Sequence, residues 1–433
     1  MEKLLSGWGR NKFIRCKIYK PKNLKDLKKI KYTSLIPRGM GRSYGDSSLK
    51  KKSILLTENL NKILSFDVKN KVIEVESGLK IVDLLKILIP KKLFLPVTPG
   101  SKYISIGGMV ASDVHGKNHH QNGSFRHHII ELKIIDEKGK MKICSNLKNK
   151  DLFNYSIGGM GLTGIIYSCK FRLIPIHSDL ILQEKIKTKN LKKTMKTLKE
   201  SSNWQYNVGW IDTSAKNLKL GRSIIFRGNH KKTTKVKQLK FIESSKLKII
   251  INFPKFLLNH LTIKFLNFFY YLFNYQEKSL VKIDDYFYQL DKIKNWNLIY
   301  GKKGFVSYQL VVPEKKSYSA IRQILETLIK NNCYSFVSVI KFLGRNDGYN
   351  SFGIKGYTLV FDFPLYDNIY IVLEQLNKIV IKNNGNIYLC KDSIAKSSEF
   401  KMMNNNFYDK KFQKIRRIKK KYFNSEQSIR LNI

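Results

Sequence analysis

Three glycine-rich segments in the first 170 residues constrain the fold more than any other feature of this sequence. The first spans residues 36–46 and reads Ile-Pro-Arg-Gly-Met-Gly-Arg-Ser-Tyr-Gly-Asp. Glycine permits left-handed backbone and close approach, so the N–H groups of such a turn can converge on an anion, with Arg38 and Arg42 adding positive charge. Taken alone, the same pattern also fits a tight connection between two strands.

The other two segments make the ligand-binding interpretation the better one. The second comprises residues 96–100 and 105–120, and its small residues between Gly107 and Ser112 let the backbone press against an extended ligand. The third, residues 158–166, leads directly into a β-branched strand. The first segment lacks the third glycine of a Rossmann fingerprint and the Gly-Lys-Ser/Thr of a P-loop. Three such segments exceed what turns alone need.

Length and cysteine content bound the class of protein. A chain of 433 residues with 42% hydrophobic residues is globular and too long for one ordinary core, so we expect two domains. The five cysteines are scattered and lack CxxC spacing, which favours reduced thiols in a cytoplasmic setting. No apolar signal region develops at the start of the chain, and we expect no signal peptide.

The formal net charge of +49 would ordinarily suggest a nucleic-acid partner. The lysines are spread along the whole chain, however, and no zinc-finger spacing, RNP pattern or basic heptad region appears. We therefore expect no nucleic-acid binding. The charge would still attract an anionic lipid-linked phosphate or a membrane surface.

Hydrophobic periodicity indicates an α+β chain. In the first part, apolar and polar residues alternate at 72–76 and 129–136, which predicts two strands, and helical spacing at 81–88 predicts a helix between them. After Pro175 the pattern predicts longer mixed elements: a helix near 189–200, strands at 206–212 and 220–227, a helix at 316–330, and strands at 334–341 and 356–363. We interpret residues 1–175, completed by 388–433, as one domain and residues 176–387 as an inserted substrate domain.

Residues 249–273 form the most apolar run. Pro254, Lys255, His260 and Lys264 interrupt it at spacings that would place charge inside the hydrocarbon, so a transmembrane helix is not expected. We favour a pair of amphipathic core helices, with an interfacial patch on a bilayer as the alternative.

The glycine segments resemble the FAD domain of the vanillyl-alcohol-oxidase-type flavoproteins, and within them the decaprenylphosphoryl-β-D-ribose 2′-oxidase family. The resemblance spans nearly the whole chain and is weakest around residues 230–280. It extends to further segments: 6–10, 115–120, 209–212, 221–223, 295–301, 308–313 and 390–393. It implies a PCMH-type FAD-binding domain made of two α/β subdomains, with an inserted α+β substrate domain built on an antiparallel sheet.

The resemblance also implies an FAD held without a covalent bond and a set of site residues. Expected around the cofactor are Pro37, Arg38, Gly39, Met40, Gly41, Arg42, Ser43, Tyr44, Gly45, Asp46, Gly100, Ser105, Ile106, Gly107, Gly108, Ser112, Asp113, Val114, His115, Gly116, Ile165 and Tyr388. Expected at the substrate are Lys117, Gln309, Lys341 and Lys391. Trp210 and Tyr286 are further candidates for pocket walls.

Lys391 and His115 are the expected catalytic residues. Oxidation of an alcohol by a flavin needs a cation where negative charge accumulates, and Lys391 matches the active-site lysine of the family. His115 would orient or polarise the site and help with the substrate proton. A metal site at His115, His119 and His120 is not expected, because no nearby carboxylates or cysteines complete a ligand shell.

The activity that the resemblance implies is oxidation of the 2′-hydroxyl of a polyprenyl-phospho-β-D-ribose to a ketone. A short-chain NAD(P)H-dependent reductase would complete an epimerisation to arabinose for cell-envelope polysaccharide, with the oxidase at the inner face of the plasma membrane. A sugar-lactone or alditol oxidase is the alternative enzyme, and a noncatalytic polyanion-binding protein the remote one. Ser307, Thr358 and Val360 depart from the best-known members and leave the sugar open.

Overall fold

The computed structural model describes residues 2–30, 34–233, 238–244, 247–348, 351–403, 407–419 and 422–433. The strands are β1 Glu2–Ser6, β2 Phe13–Tyr19, β3 Ile36–Arg38, β4 Ser53–Leu56, β5 Ile63–Asp67, β6 Val72–Glu76, β7 Leu93–Phe94, β8 Ile129–Ile135, β9 Met141–Ser145, β10 Ile165–Arg172, β11 Ile174–Pro175, β12 Leu180–Thr188, β13 Tyr206–Ile211, β14 Ser223–His230, β15 Leu247–Lys248, β16 Glu277–Lys282, β17 Ile293–Lys294, β18 Phe305–Pro313, β19 Ser338–Leu343, β20 Gly356–Pro364 and β21 Asn386–Ile387. The α-helices are α1 Leu24–Lys29, α2 Ile81–Leu88, α3 Ile106–Ala111, α4 His119–Asn122, α5 Lys150–Ser156, α6 Leu191–Glu200, α7 His260–Phe273, α8 Ile283–Phe287, α9 Glu314–Lys330, α10 Ile369–Lys382, α11 Ser397–Met402, α12 Phe407–Lys419 and α13 Glu426–Leu431.

Two small sheets build the first part of the chain. One has the order β1-β2-β4-β3, with β4 parallel to both β2 and β3. The other is antiparallel and has the order β5-β6-β10-β8-β9. The first glycine segment follows β3, the second contains α3, and the third precedes β10, so all three connect elements of these two sheets.

An eight-stranded antiparallel sheet forms the second part, with the order β16-β12-β14-β13-β19-β20-β18-β21. Helices α6, α9 and α10 cover one face, where inward apolar residues such as Leu310, Leu359 and Ile324 are fully buried. Burial of this face supplies most of the hydrophobic stabilisation of this region. The opposite face is left for α7 and for the polar residues of the candidate site.

The C-terminal segment returns to the first sheet. The N–H of Leu35 donates to the carbonyl of Tyr422, the N–H of Asn424 donates to the carbonyl of Leu35, and that of Glu426 donates to Leu49. These contacts support the division of the chain at residues 175 and 388, which stays a prediction. The locally patterned elements at 72–76 and 81–88 are confirmed with the predicted bounds.

The interpretation of residues 249–273 as a pair of core helices is wrong. The segment contains one α-helix, α7, and most of its leucine and phenylalanine side chains are exposed. Apolar content alone does not distinguish a core helix from an exposed one, because only tertiary contacts decide which face is covered. Across the described ranges, no helix has both the length and the apolar character needed to span a bilayer.

Candidate active site

The three glycine segments lie against one another. A side chain at Gly39 would place its Cβ 2.0 Å from the Oγ of Ser105, and one at Gly161 would meet Pro37 at 3.2 Å. The N–H of Met160 donates to the carbonyl of Ala111 at 2.8 Å. Glycine is needed where these backbones approach so closely, and the three segments therefore form one continuous surface.

The first segment exposes a row of backbone donors on that surface. Within the described part of the chain, the N–H groups of residues 39–43 donate no hydrogen bond. Gly41 has φ = 63°, a left-handed conformation that reverses the local direction of the chain. Backbone N–H groups left over by such a turn bind anionic oxygens without requiring a charged side chain. This donor set fits the pyrophosphate of a dinucleotide.

The two arginines of this segment have different roles. Arg38 is committed to the protein: its Nη2 donates to the carbonyl of Ser6 at 2.7 Å and its Nη1 to the Oγ of Ser48 at 3.2 Å. Burial lowers the pKa of Arg38 to about 10. Arg42 instead stacks its guanidinium on the ring of Trp8 at 3.9 Å. Arg38 thus stabilises the turn, whereas the guanidinium of Arg42 lies over the ring of Trp8.

The acidic residues expected near the cofactor are also paired within the protein. Asp46 accepts a hydrogen bond from Arg430 at 2.9 Å, and Asp113 lies 3.4 Å from the Nε of Arg126. Asp113 also accepts a hydrogen bond from Ser124 at 2.9 Å. These pairings hold the turns in place and offset the negative charge of the two carboxylates.

The remaining residues expected at the cofactor divide into surface and core positions. Gly107 and Gly116 are packed against Ser77 and Thr98, whereas Gly100 has open space around it. Ile106 and Ile165 are fully buried in apolar clusters, and Val114 is buried beside the first of these clusters. We call the surface formed by the three glycine segments the cradle; the buried side chains at the core positions do not line it.

The open face of the large sheet brings the expected substrate residues together. Residues opposite each other in register point to the same face of a sheet. One row across the strands contains Gln309, Val360, Val339 and Trp210. The next row contains Val311, Thr358 and Lys341, and the row on the other side pairs Ser307 with Asp362.

His115 lies at the centre of this face and joins it to the cradle. Its Nε2 lies 2.8 Å from the Nε2 of Gln309, and its Nδ1 lies 3.0 Å from the Nζ of Lys341. Burial and the neighbouring Lys341 hold the pKa of His115 well below its usual value, so the imidazole is neutral at pH 7. Its ring is 5.5 Å from that of Tyr388, whose hydroxyl donates to the carbonyl of Ser112 at 2.9 Å.

The hydrogen bonds of Gln309 define the tautomer of His115. The amide of Gln309 donates to the Oγ1 of Thr358 at 3.1 Å as well as to His115. With Nε2 accepting, the imidazole proton resides on Nδ1 and faces the Nζ of Lys341. That arrangement requires a neutral amine at Lys341, so protonation of the lysine, the tautomer of His115 and the orientation of the Gln309 amide are coupled.

Two partly buried lysines at this face, Lys117 and Lys341, have strongly lowered pKa values. Burial lowers the pKa of Lys341 to about 7, with the nearby charge of Lys391 acting in the same direction. Burial lowers the pKa of Lys117 to about 7 as well, with a further contribution from Lys341. The Nζ of Lys117 donates to the carbonyl of Tyr286 and lies 4.4 Å above its ring centroid. An anion bound between these lysines would raise both pKa values.

Lys391 lies over the ring of Tyr44, with its Nζ 3.8 Å from the ring centroid. The same Nζ donates to the Oγ of Ser307 at 3.3 Å and lies 3.9 Å from the carboxylate of Asp362. The N–H of Tyr44 donates to the carbonyl of Cys390 at 2.9 Å, which ties the first glycine segment to the lysine. The lysine is thus fixed at the border between the cradle and the sheet face.

Asp362 is a site residue that sequence reasoning did not single out. It is fully buried, accepts a hydrogen bond from the Oγ of Ser307, and its Oδ2 has no partner among the described residues. Burial raises the pKa of its carboxyl group, while Lys391 opposes that rise. An aspartate in the middle of an apolar strand was the available signal, because such a residue is costly without a partner.

The neighbouring histidines have structural partners. His119 lies 2.8 Å from the carboxylate of Asp347, and His120 lies 2.8 Å from the carbonyl of Trp204. His127 lies 3.0 Å from the same Asp347. Over the described residues, no group of three or more His, Cys, Asp or Glu side chains is placed to hold a metal ion.

The fold and the amide-lined cradle define an FAD-binding oxidoreductase with a PCMH-type domain in an α+β chain. A family profile described as "FAD binding domain" matches residues 24–145, which include the first two glycine segments. Over 85% of its length, the chain is 30% identical to the decaprenylphosphoryl-β-D-ribose oxidase of Mycolicibacterium smegmatis and covers 83% of that protein. The chain therefore belongs to the decaprenylphosphoryl-β-D-ribose oxidase family.

More distant relatives match shorter parts of the chain. The D-arabinono-1,4-lactone oxidase of Debaryomyces hansenii is 22% identical over 44% of this chain and 38% of its own length. A glycolate oxidase subunit of Bacillus subtilis is 28% identical over 33% of this chain and 32% of its own. Each of these similarities covers less than half of the chain, whereas the similarity to the ribose oxidase covers 85% of it.

Proposed function

We propose that this protein oxidises the 2′-hydroxyl of a polyprenyl-phospho-β-D-ribose to a ketone. The observation that carries the proposal is the group of partly buried lysines around the open sheet face, Lys117, Lys341 and Lys391, beside the neutral His115. Protonation of Lys117 and Lys341 is costly at this site unless an anion joins them, and a phosphodiester supplies that anion. A free lactone or alditol brings no charge to compensate them.

In this proposal the reaction needs two contributions from the protein: a positive charge, from Lys391, and a base for the hydroxyl proton, from His115. Bound FAD supplies the acceptor for the hydride that leaves the carbinol carbon. Lys391 provides positive charge at the border with the cradle, where negative charge accumulates as the hydride departs. Tyr44, Ser307 and Asp362 hold its ammonium group in place.

The hydroxyl proton requires a neutral base on the sheet face. His115 meets this requirement because burial holds its pKa well below the usual value. In this proposal Nε2 exchanges its contact with Gln309 for the substrate hydroxyl and accepts the proton. Both ring nitrogens are engaged by side chains, which supports an FAD held without a bond to this histidine.

The keto product needs a reductant to become a stable sugar lipid. We propose that a short-chain NAD(P)H-dependent reductase acts next and delivers hydride to the opposite face, which yields the arabinose lipid used in cell-envelope polysaccharide. Reconstitution of the two enzymes with polyprenyl-phosphoribose should produce the arabinose epimer. Formation of ribose alone would contradict this order of reactions.

Anaerobic reduction of the bound flavin tests the substrate directly. The purified holoenzyme is mixed with polyprenyl-phosphoribose and, in parallel, with free sugar lactones and alditols, while the flavin absorption band is recorded. We expect bleaching with the phosphoribose lipid alone. Bleaching by the free sugars and not by the lipid would overturn the proposal in favour of a lactone or alditol oxidase.

A further inference from the structure

Helix α7 buries only Ile263 and Asn267 and leaves most of its leucine and phenylalanine side chains exposed. Its inner stripe contains Asn267, which is fully buried and donates to the carbonyl of Ser335 at 3.3 Å, and Tyr270, which packs on Trp210. Seven apolar side chains on the outer side are between 42% and 64% exposed: Leu261, Phe265, Leu266, Phe268, Phe269, Leu272 and Phe273. A helix at a water-exposed surface normally has the opposite arrangement.

The exposed apolar surface continues into the residues that precede the helix. Ile250, Ile251, Phe256 and Leu257 are between 41% and 76% exposed. The Oγ1 of Thr262 donates to the carbonyl of Leu257 at 2.9 Å, which joins this stretch to the first turn of α7. We call these four residues and the seven of α7 the apolar platform. Eleven exposed apolar side chains within one short segment mark an interaction site.

The charge around the apolar platform selects one kind of occupant. Residues 247–276 contain no Asp or Glu, and Lys248 and Lys264 lie exposed beside the apolar side chains. A second copy of the chain would bring the same positive charge against this surface and be repelled. An anionic bilayer offers both the apolar interior and the negative headgroups that the surface lacks.

The apolar platform borders the open face of the large sheet. Tyr270 of α7 packs on Trp210 with ring centroids 4.8 Å apart. Trp210 is opposite Val339 in register, and Val339 is two residues from Lys341 on the same face. The apolar platform therefore lies next to the sheet face that carries Lys341.

We propose that the apolar platform is a membrane-binding surface by which the protein lies on an anionic bilayer without crossing it. Helix α7 lies in the plane of the headgroups, with its phenylalanines in the acyl region and Lys248 and Lys264 at the phosphates. The proposal goes beyond the enzymatic reaction. It also stands without that reaction, because vesicle binding needs no sugar substrate.

Co-sedimentation with vesicles tests the proposal on the FAD-loaded protein. The vesicles contain phosphatidylcholine alone or with about a quarter phosphatidylglycerol. We expect the wild type to sediment with the anionic vesicles and the triple variant F265N/F269N/F273N to bind at least about tenfold more weakly. The matched variant L147N/I371N/I429N removes three exposed apolar side chains elsewhere and should bind like the wild type. FAD absorbance confirms that each variant is folded.

Two results would overturn the proposal. One is equal vesicle binding by the wild type and F265N/F269N/F273N, or no binding by either. The other is a wild-type dimer in sedimentation velocity without vesicles that the triple variant abolishes, since the apolar platform would then be an interface between copies. An independent readout uses Phe273→Trp, whose added fluorescence should be quenched by brominated acyl chains. Absence of extra quenching in vesicle-bound protein would also contradict insertion.

Discussion

The cradle and the open sheet face prepare for negatively charged ligands in opposite ways. In the cradle, the charged side chains of Arg38, Asp46 and Asp113 are paired within the protein, and backbone N–H groups are left to bind. On the sheet face, the backbone is fully used in the antiparallel ladder, and the lysines themselves are left to bind. Anion binding at the cradle would therefore depend on backbone conformation, and anion binding at the sheet face on the charge of the lysines.

This difference predicts different responses to pH. Backbone N–H groups do not titrate, so FAD retention should not change between about pH 6 and pH 9. Lys117 and Lys341 have pKa values of about 7 and lose their charge within that range. The pairing of Asp46 and Asp113 with arginines has the further effect of keeping negative charge away from the pyrophosphate site.

The largest effect is expected from Lys391→Met. Loss of the ammonium group should lower the rate of flavin reduction about a thousandfold, because preorganised positive charge is lost where negative charge develops. FAD should remain bound, since the backbone of the first glycine segment is unchanged. Stopped-flow absorbance measures the rate, and Lys396→Met, at an exposed lysine paired with Glu374, is the control. Loss of FAD from Lys391→Met would make this lysine structural.

Disturbing the backbone of the cradle should weaken cofactor retention instead. In Gly45→Ala the new Cβ would lie 2.1 Å from the carbonyl oxygen of Asp392, and neither backbone has room to move. We expect about a hundredfold weaker FAD binding, which corresponds to a strain of about 3 kcal/mol. Ser43→Ala keeps the N–H group and should retain FAD. Cofactor content after gel filtration compares the two, and loss of FAD from Ser43→Ala would contradict binding through the backbone.

The affinity for a phosphorylated substrate should fall as pH rises. Lys117 and Lys341 are protonated below their pKa of about 7 and neutral above it, so the free enzyme loses the charges that attract phosphate. We expect KM to increase about tenfold from pH 6.5 to pH 8.5, with a weaker dependence in Lys341→Met. Steady-state kinetics across this range measures it. A KM that does not change with pH in the wild type would show that the lysines do not bind the phosphate.

The smallest effect concerns stability. The pKa of Lys341 falls from 10.5 to about 7 on folding, so between these values the unfolded chain holds more protons than the folded one. The contribution of this group therefore makes the wild type more stable as pH rises from 7 to 10.5. Lys341→Met removes the cost of burying the lysine and should stabilise the holoenzyme by about 1–3 kcal/mol at pH 7. Thermal unfolding at pH 7 and pH 9 tests this, and a lower midpoint for the variant at pH 7 would contradict it.

Local pattern predicted the regular elements but not the pairing of charges. The period of two at 72–76 and the helical spacing at 81–88 depend on neighbouring residues, so the sequence alone predicts them. The contact between Lys391 and Asp362 depends on the register of an antiparallel sheet and on the return of the C-terminal segment. No local rule contains that contact, although the position of Asp362 within an apolar strand was a local signal that the residue needs a partner.

The residues expected at the cofactor show the same limit. The turns around Gly39 and Ser105 pack against each other in the structure, because glycine and capping residues have local requirements, and their contact with FAD stays a prediction. The resemblance did not distinguish residues that face the ligand from those that hold the turn. The carboxylate of Asp46 pairs with Arg430, which is 384 residues away in the sequence.

A deuterium isotope effect on flavin reduction tests the proposed reaction most directly. Polyprenyl-phosphoribose carrying deuterium at C2′ is mixed anaerobically with the holoenzyme, and the bleaching rate is compared with that of substrate deuterated at C3′. We expect several-fold slower reduction with the C2′ label and no change with the C3′ label, because only the C2′ hydrogen leaves as hydride. Slower reduction with the C3′ label and not with the C2′ label would contradict oxidation at the 2′-hydroxyl.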